Sequence, residues 1–143
     1  MNDRVFIDTN IFVYAYLENY KNKSDYAKHL KAKELLQSFQ KGAFVCISTQ
    51  VCNEYYSALL KNRIEDQHIQ SSLKSLILST NVTSISKNTV LQSFEIRNRY
   101  GFSYWDSLIL SSALENECTV LYSEDMQDEQ VLNGVLRVVN PFG

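Results

Sequence analysis

The stretch Val5-Phe6-Ile7-Asp8-Thr9-Asn10-Ile11-Phe12 decides the fold class of this chain. Its first three residues are apolar and favour β-structure, as in a strand that is buried on both faces of a parallel sheet. The polar residues that follow can cap a helix beginning near Ile11. Because ligands of open α/β sheets bind at the carboxyl ends of the strands, we expect Asp8 to lie beside a functional crevice. The alternative is that Asp8 is a helix cap and nothing more.

Strand and helix patterns alternate along the rest of the chain. Further strands are predicted at 44–47, 82–84, 119–122 and 136–139, the last at a sheet edge because Pro141 ends it. Apolar residues at helical spacing predict helices over about 11–17 and 25–41, after Ser48, around 69–77, over 87–100 and after Ser103, with a polar loop over 18–24. In the helix over 87–100, Val90, Leu91 and Phe94 are predicted to face inward, and Gly101 is a predicted left-handed stop. This pattern predicts an α/β fold, with a single domain over residues 1–143 and a mostly parallel central sheet covered by helices on both faces.

Bulk composition excludes several classes of protein. The chain has 143 residues, 45% of them hydrophobic, and only 4 Gly and 1 Pro, which indicates one regular domain rather than disorder. Its net charge of −2 gives no global basic field for nucleic acid, although a local basic face is compatible with that value. Because no run of about 18 apolar residues exists, we expect a protein without membrane spans, located in the cytoplasm.

Cysteine and histidine positions do not predict a zinc site. Cys46, Cys52 and Cys118 are odd in number and lack the CxxC spacing, so we expect buried thiols in a reducing compartment. His29 and His68 have no paired histidine at ligand spacing.

Three more acidic residues fall where a parallel sheet brings them toward Asp8. Glu54 follows the helix start at Ser48, Asp106 follows the helix start at Ser103, and Asp125 follows the strand at 119–122. Each also has a purely structural interpretation, since Glu54 can favour the helix dipole and Asp106 can close a capping box. Four carboxylates in one pocket repel unless a cation is present, and an all-oxygen set suits Mg²⁺ or Mn²⁺. Such an ion activates water and neutralises charge on a phosphodiester.

Basic and aromatic segments are compatible with a polyanionic substrate. Lysines and arginines cluster over 21–33, at Lys61 with Arg63, and at Arg97 with Arg99. A solvated helix face is the favoured interpretation of the first cluster, and a phosphate-contacting patch is the alternative. Tyr104 and Trp105 stand beside Asp106 and are candidates for stacking on a base, although the core is the favoured place for Trp105.

The order of these motifs resembles the PIN-domain family. The matching features are the strand ending in Asp8-Thr9-Asn10, a helical Glu54, Tyr104-Trp105-Asp106 and a strand leading into Ser123-Glu124-Asp125. The length is similar to that of single-domain VapC-type toxin ribonucleases of bacterial toxin–antitoxin modules. Each motif is weak alone, but their order and spacing together are fairly specific.

The resemblance implies a function and a set of site residues. Asp8, Glu54, Asp106 and Asp125 would bind Mg²⁺ or Mn²⁺ and activate water, supported through hydrogen bonds by Thr9, Asn10 and Ser123. Glu124 and Asp128 are neighbours that would replace or supplement Asp125. The family also implies endonucleolytic cleavage of single-stranded RNA, a cognate antitoxin and a homodimer. Tyr14, Tyr16, Tyr55 and Tyr56 are candidates for an exposed surface that accepts a partner helix.

Two other functions are weighed against this one. A phosphohydrolase with Asp8 as its covalent nucleophile would favour a second aspartate two positions on, where Asn10 stands. A PIN-like module that binds RNA or protein without turnover would tolerate losing acidic residues, whereas here all four acidic positions are filled.

Overall fold

The computed structural model describes residues 3–18 and 22–143, in which two α-helices follow each of the first three strands and three further strands end the chain. The strands are β1 Arg4–Ile7, β2 Phe44–Ser48, β3 Asn81–Thr83, β4 Val120–Tyr122, β5 Val131–Leu132 and β6 Leu136–Val139. The helices are α1 Thr9–Tyr16, α2 Lys23–Ser38, α3 Thr49–Lys61, α4 Asp66–Ser79, α5 Lys87–Tyr100 and α6 Tyr104–Glu115. Within the described ranges, none of these helices has the length and apolar character needed to cross a membrane.

The six strands form one sheet in the order β3-β2-β1-β4-β6-β5, and every neighbouring pair is parallel except β5 with β6. Val5, Phe6 and Ile7 of the central strand are at most 2% exposed. Because successive side chains of a strand point to opposite faces, both faces of β1 are covered. The predicted α/β fold with a mostly parallel sheet is confirmed. The carboxyl ends of β1, β2 and β4 therefore lie at one edge of the sheet.

The prediction that residues 136–139 form an edge strand is wrong. β5 pairs antiparallel with β6, with Leu132 opposite Leu136, and so takes the edge position. Asn133 and Gly134 in the connecting loop have φ values of 52° and 68°, the left-handed backbone that such tight turns use. A strand of two residues has no readable alternation, which is why the sequence pattern does not predict it.

Helix α5 has its predicted bounds, but the predicted inward face is wrong. Gly101 ends the helix with φ 79°, as expected for a left-handed stop. Leu91 and Phe94, which the apolar pattern places inside, are 59% and 46% exposed. The buried positions are instead Thr89, Ser93 and Ile96. α5 packs against a serine-rich face of α6, where Ser111 Oγ donates a hydrogen bond to the Thr89 carbonyl at 2.8 Å.

The remaining boundaries differ by a few residues from those predicted. α1 begins at Thr9, because Asp8 itself is the capping residue. α2 ends at Ser38, and a 3₁₀ turn at Phe39–Lys41 completes the predicted segment before Gly42. All three cysteines are buried free thiols, as predicted. The predicted loop over 18–24 is too long at its end, because α2 already begins at Lys23, and residues 19–21 lie outside the described residues.

Candidate active site

The sheet edge at the ends of β1 and β4 opens into a cavity of about 330 Å³. Helices α3 and α6 form its other walls. The cavity is lined by Asp8, Thr9, Asn10, Gln50, Glu54, Ser57, Ala58, Lys61, Trp105, Asp106, Ile109 and Asp125. The structure thus brings together all four acidic residues that the sequence singled out, although they are spread over more than a hundred positions.

Asp8 is the buried floor of the cavity, with 6% of its surface exposed. It stands between β1 and α1, where its Oδ1 accepts a hydrogen bond from the Thr9 amide at 2.7 Å. Its Oδ2 accepts one from Ser123 Oγ at 2.8 Å. Burial raises the pKa of Asp8 to about 6 despite these hydrogen bonds, and the charges of Asp125 and Glu54 add to the rise. The capping interpretation is therefore correct but incomplete, because the same carboxylate also lines the cavity.

Glu54 reaches the cavity from the second turn of α3. The helix start is fixed by Ser48, whose Oγ accepts a hydrogen bond from the Val51 amide at 3.5 Å. Thr9 Oγ1 donates to Glu54 Oε1 at 3.4 Å, which links α3 to the residue after Asp8. Partial burial raises the pKa of Glu54, with smaller contributions from the negative charges of Asp106 and Asp125.

Asp106 stands in the first turn of α6. The cap predicted with Ser103 is formed through the backbone, since the Asp106 amide donates to Ser103 Oγ at 3.1 Å. The carboxylate of Asp106 lines the cavity. Partial burial raises its pKa, and the Ser103 hydroxyl counters part of that rise.

Asp125 follows β4 in an acidic turn and is exposed on the cavity wall. Asn10 Nδ2 donates to Asp125 Oδ2 at 3.1 Å and approaches Glu124 Oε1 at 3.4 Å. Desolvation raises the pKa of Asp125 most, the charges of Glu124 and Asp106 raise it further, and Lys28 lowers it.

The two acidic neighbours of Asp125 have other partners. Glu124 forms an ion pair with Lys28, with 2.8 Å between Oε2 and Nζ. Asp128 Oδ1 accepts a hydrogen bond from the Asn140 amide at 2.8 Å, which ties the turn to the chain beyond β6. Neither is among the residues lining the cavity. The geometry therefore favours Asp125 as the fourth acidic residue.

Gln50 is a cavity residue that the sequence patterns did not predict. It is 8% exposed, and its Nε2 donates to the Trp105 carbonyl at 3.1 Å. Its Oε1 is buried and has no hydrogen-bond partner within the part of the chain that the structure describes. The spacing of four residues between Gln50 and Glu54 on α3 could have identified it, since residues at that spacing share one helix face.

The prediction that Trp105 belongs to the core is wrong. Its side chain is 62% exposed and lines the cavity beside Asp106. The reason is its place in the first turn of α6, whose buried residues begin at Ser107.

The basic segments lie in different places relative to the cavity. Lys61 lines the cavity directly. Lys28 does not line it but forms an ion pair with Glu124 in the acidic turn. Arg97 donates to the Phe102 carbonyl at 2.7 Å, and Arg99 lies over the ring of Tyr100 at 5.2 Å. Neither arginine lines the cavity. Lys21 is outside the described residues.

The oxygen atoms that line the cavity are suitable ligands for a hard divalent cation. Carboxylate oxygens are the ligands that Mg²⁺ and Mn²⁺ prefer, and the neutral Oε1 of Gln50 is an oxygen without a partner in the described chain. Residues 3–18 and 22–143 hold no ready-made group of three acidic, histidine or cysteine ligands. Mg²⁺ does not need one, because it usually keeps several waters and binds through one or two carboxylates together with substrate phosphate. The residues present therefore fit the ion.

Comparison with known proteins gives a family and a set of similar structures. The family described as PIN domain matches residues 5–130. A toxin–antitoxin complex from Klebsiella pneumoniae has a TM-score of 0.70 at 20% identity, covering 96% of this chain and 97% of its own. VapBC2 from Rickettsia felis, bound to a DNA fragment of its promoter, has a TM-score of 0.67 at 21% identity, covering 96% and 99%.

A third similar structure is a toxin from Mycobacterium tuberculosis. This protein, VapC20, is described as cleaving the sarcin-ricin loop, and it has a TM-score of 0.64 at 20% identity, covering 85% of this chain and 91% of its own. At these identities the likeness shows the fold. No curated protein sequence matches the chain.

Proposed function

The chain belongs to the PIN-domain family, and from this premise we propose that it is a Mg²⁺- or Mn²⁺-dependent endoribonuclease that hydrolyses single-stranded RNA. We infer that the whole of 1–143 is one PIN domain and acts as the toxin of a type II toxin–antitoxin pair. The observation that carries the proposal is the shared cavity of Asp8, Glu54, Asp106 and Asp125. A pocket with four carboxylates and raised pKa values is suited to a divalent cation and a phosphodiester.

The residues of the site have two tasks in this proposal: four carboxylates bind the cation, and neighbouring groups orient two of these carboxylates. Asp8, Glu54, Asp106 and Asp125 would hold the cation, which would supply an activated water and neutralise charge on the phosphodiester. Ser123 and the Thr9 amide fix the two oxygens of Asp8 through their hydrogen bonds. Asn10 does the same for Asp125. Residues that orient ligands in this way pre-organise a site, so that little rearrangement is needed during reaction.

Two lysines favour the approach of RNA to the acidic cavity, one on its wall and one behind the acidic turn. Lys61 is exposed at the end of α3 and lines the cavity, where it can contact a backbone phosphate. The ion pair of Lys28 with Glu124 removes one negative charge from the neighbourhood of Asp125. Both lysines reduce the repulsion that an acidic pocket exerts on a polyanion.

We also propose a cognate antitoxin, a homodimer and a cytoplasmic location for this chain. Similar structures are toxin–antitoxin complexes, which supports the first of these. Tyr55 is 3% exposed, and its hydroxyl forms a 2.6 Å hydrogen bond with Ser72 Oγ, so it is not part of an exposed partner surface. Tyr14, Tyr16 and Tyr56 are half-buried and stay candidates.

The test is cleavage of single-stranded RNA by the purified protein in Mg²⁺ or Mn²⁺. We expect cleavage to stop in EDTA and to return when the divalent ion is restored. Asp106→Asn should lower the rate by more than about 100-fold, the upper end of what residues behind metal ligands cost. Glu115→Gln is the matched control, because it neutralises an exposed acid on the same helix and should leave the rate unchanged.

EDTA and the Asp106→Asn variant together separate the activity of this protein from that of a contaminating nuclease. Cleavage that persists in EDTA and in Asp106→Asn would contradict the proposal. Metal-independent RNA binding without cleavage of any RNA tested would instead support the non-catalytic binding module.

A series of variants in the acidic turn tests the choice of the fourth ligand. We expect Asp125→Asn to lower the cleavage rate most, by about 100-fold, because its carboxylate lines the cavity. Glu124→Gln should cost less than about tenfold, since its carboxylate pairs with Lys28 and acts behind Asp125. Asp128→Asn should lower the melting temperature without changing the cleavage rate, because the Asp128 carboxylate accepts a hydrogen bond from the backbone amide of Asn140. A rate lowered most by Glu124→Gln would reassign the fourth ligand.

A further inference from the structure

Resting on the proposed function, we propose that Trp105 is the stacking platform for an unpaired nucleobase of the RNA substrate. Trp105 is 62% exposed, unusual for the residue with the largest apolar side chain in a folded domain. It forms part of the cavity wall directly beside Asp106. An exposed aromatic face next to the reacting centre is the arrangement with which proteins bind single-stranded nucleic acid.

One contact fixes the backbone of Trp105, and a second packs against its ring. Gln50 Nε2 donates to the Trp105 carbonyl at 3.1 Å and ties its backbone to α3. The ring of Tyr104 packs edge-on against that of Trp105, with centroids 5.3 Å apart and planes at 68°. A fixed ring loses little conformational freedom on binding, so base stacking on it is favoured.

Charge on the cavity wall points to a nucleotide rather than to another aromatic ligand. Among the described residues that line the cavity, Lys61 is the single cation and four are acidic. A ligand therefore has to offer an apolar π-face to Trp105 and negative charge to Lys61. Because the four carboxylates repel negative charge, such a ligand needs a divalent ion to approach them. An unpaired nucleotide of RNA has these features, whereas the bases of a duplex are already stacked on their neighbours and cannot be splayed onto a side chain.

The fluorescence of Trp105 measures stacking directly, because the chain contains 1 Trp. With Mg²⁺ present, and with cleavage slowed by the Asp125→Asn substitution, a single-stranded RNA oligonucleotide should quench the emission in a saturable way. The same oligonucleotide annealed to its complement, or made without bases, should leave the emission nearly unchanged. Equal quenching by all three probes would overturn the proposal, because it would show no dependence on an unpaired base.

Kinetics separate stacking from chemistry. Trp105→Ala should raise KM for single-stranded RNA by about 5- to 150-fold, the range expected for the loss of one stacked base. We expect kcat at saturating RNA to change much less, and Trp105→Phe to restore most of the affinity. Leu91→Ala is the matched control, since Leu91 is 59% exposed on α5 and does not line the cavity.

Failure of this inference is distinguishable from failure of the proposed function. Metal-dependent cleavage with an unchanged KM in Trp105→Ala would overturn the stacking role and leave the nuclease in place. Base-dependent quenching by a protein that cleaves no RNA would support the stacking role and contradict the nuclease. Because Trp105 is outside the core, all variants should keep the melting temperature of the wild type, which verifies that they are folded.

Discussion

Asp8→Asn is expected to abolish RNA cleavage and, in the same protein, to raise the stability of the metal-free fold at neutral pH. Asp8 is 6% exposed and is surrounded by acidic neighbours, so its negative charge is unfavourable without a cation. Asparagine keeps the shape and the capping ability of aspartate but carries no charge. Activity should fall by more than about 100-fold, because a carboxylate proposed to hold the ion is lost.

The pH dependence of stability follows from the direction of the pKa shift. In the folded protein burial raises the pKa of Asp8 from 3.8 to about 6. The folded state therefore holds the proton more tightly than the unfolded state, and the stability that this contributes is full below pH 4. It is lost as the pH rises through 6, by on the order of 2–3 kcal/mol. Asp8→Asn should remove this loss of stability at high pH, because asparagine does not ionise.

Thermal unfolding in EDTA at several pH values measures the effect. The melting temperature of Asp8→Asn should exceed that of the wild type at pH 7.5, and the difference should shrink toward pH 4. Glu115→Gln, an exposed control, should melt like the wild type throughout. A variant that is less stable than the wild type at pH 7.5 would show that the charge of Asp8 is compensated within the fold.

Divalent ions are expected to stabilise the folded protein strongly. A cation bound to the folded state alone adds about 2.7 kcal/mol at one hundred times its dissociation constant, which raises the melting temperature by about 5 to 10 °C in a chain of this size. The stabilisation should be larger at pH 8 than at pH 5, because raised pKa values of Asp8, Glu54, Asp106 and Asp125 allow protons to compete with the ion.

Melting curves with Mg²⁺ or Mn²⁺ at constant ionic strength check this expectation. Asp106→Asn and Asp8→Asn should each lose most of the shift, whereas Glu115→Gln should keep it. Equal shifts in the wild type and in both cavity variants would place the bound ions elsewhere on the protein. The measurement does not depend on RNA, so it tests the site even before a substrate is known.

Local sequence signals were sufficient for the part of the fold that positions the cavity. The apolar run before Asp8 predicted the central strand, and Ser48 and Ser103 predicted the starts of α3 and α6. These signals act over three or four residues, through strand burial and through side chains that cap a helix. Parallel pairing then places Asp8 and Asp125 at one edge of the sheet, so their proximity follows from fold class.

Features that depend on tertiary packing were not predictable in this way. The inner face of α5 is polar because α6 presents serines to it, and the sequence of α5 alone cannot reveal its neighbour. Trp105 is hydrophobic but is exposed, since its position on α6 precedes the part of the helix that is covered. The partner of Glu124 was equally hidden, because Lys28 is 96 residues away in sequence.

The ammonium group of Lys28 holds together three parts of the chain that are distant in sequence. Its Nζ pairs with Glu124 at 2.8 Å and lies 5.2 Å from the ring centroid of Tyr14 and 5.6 Å from that of Phe142. Asn10 carries the connection on from Glu124 to Asp125. A disturbance near the carboxyl terminus, far from any reacting atom, can therefore be transmitted to the acidic turn through a single positive charge.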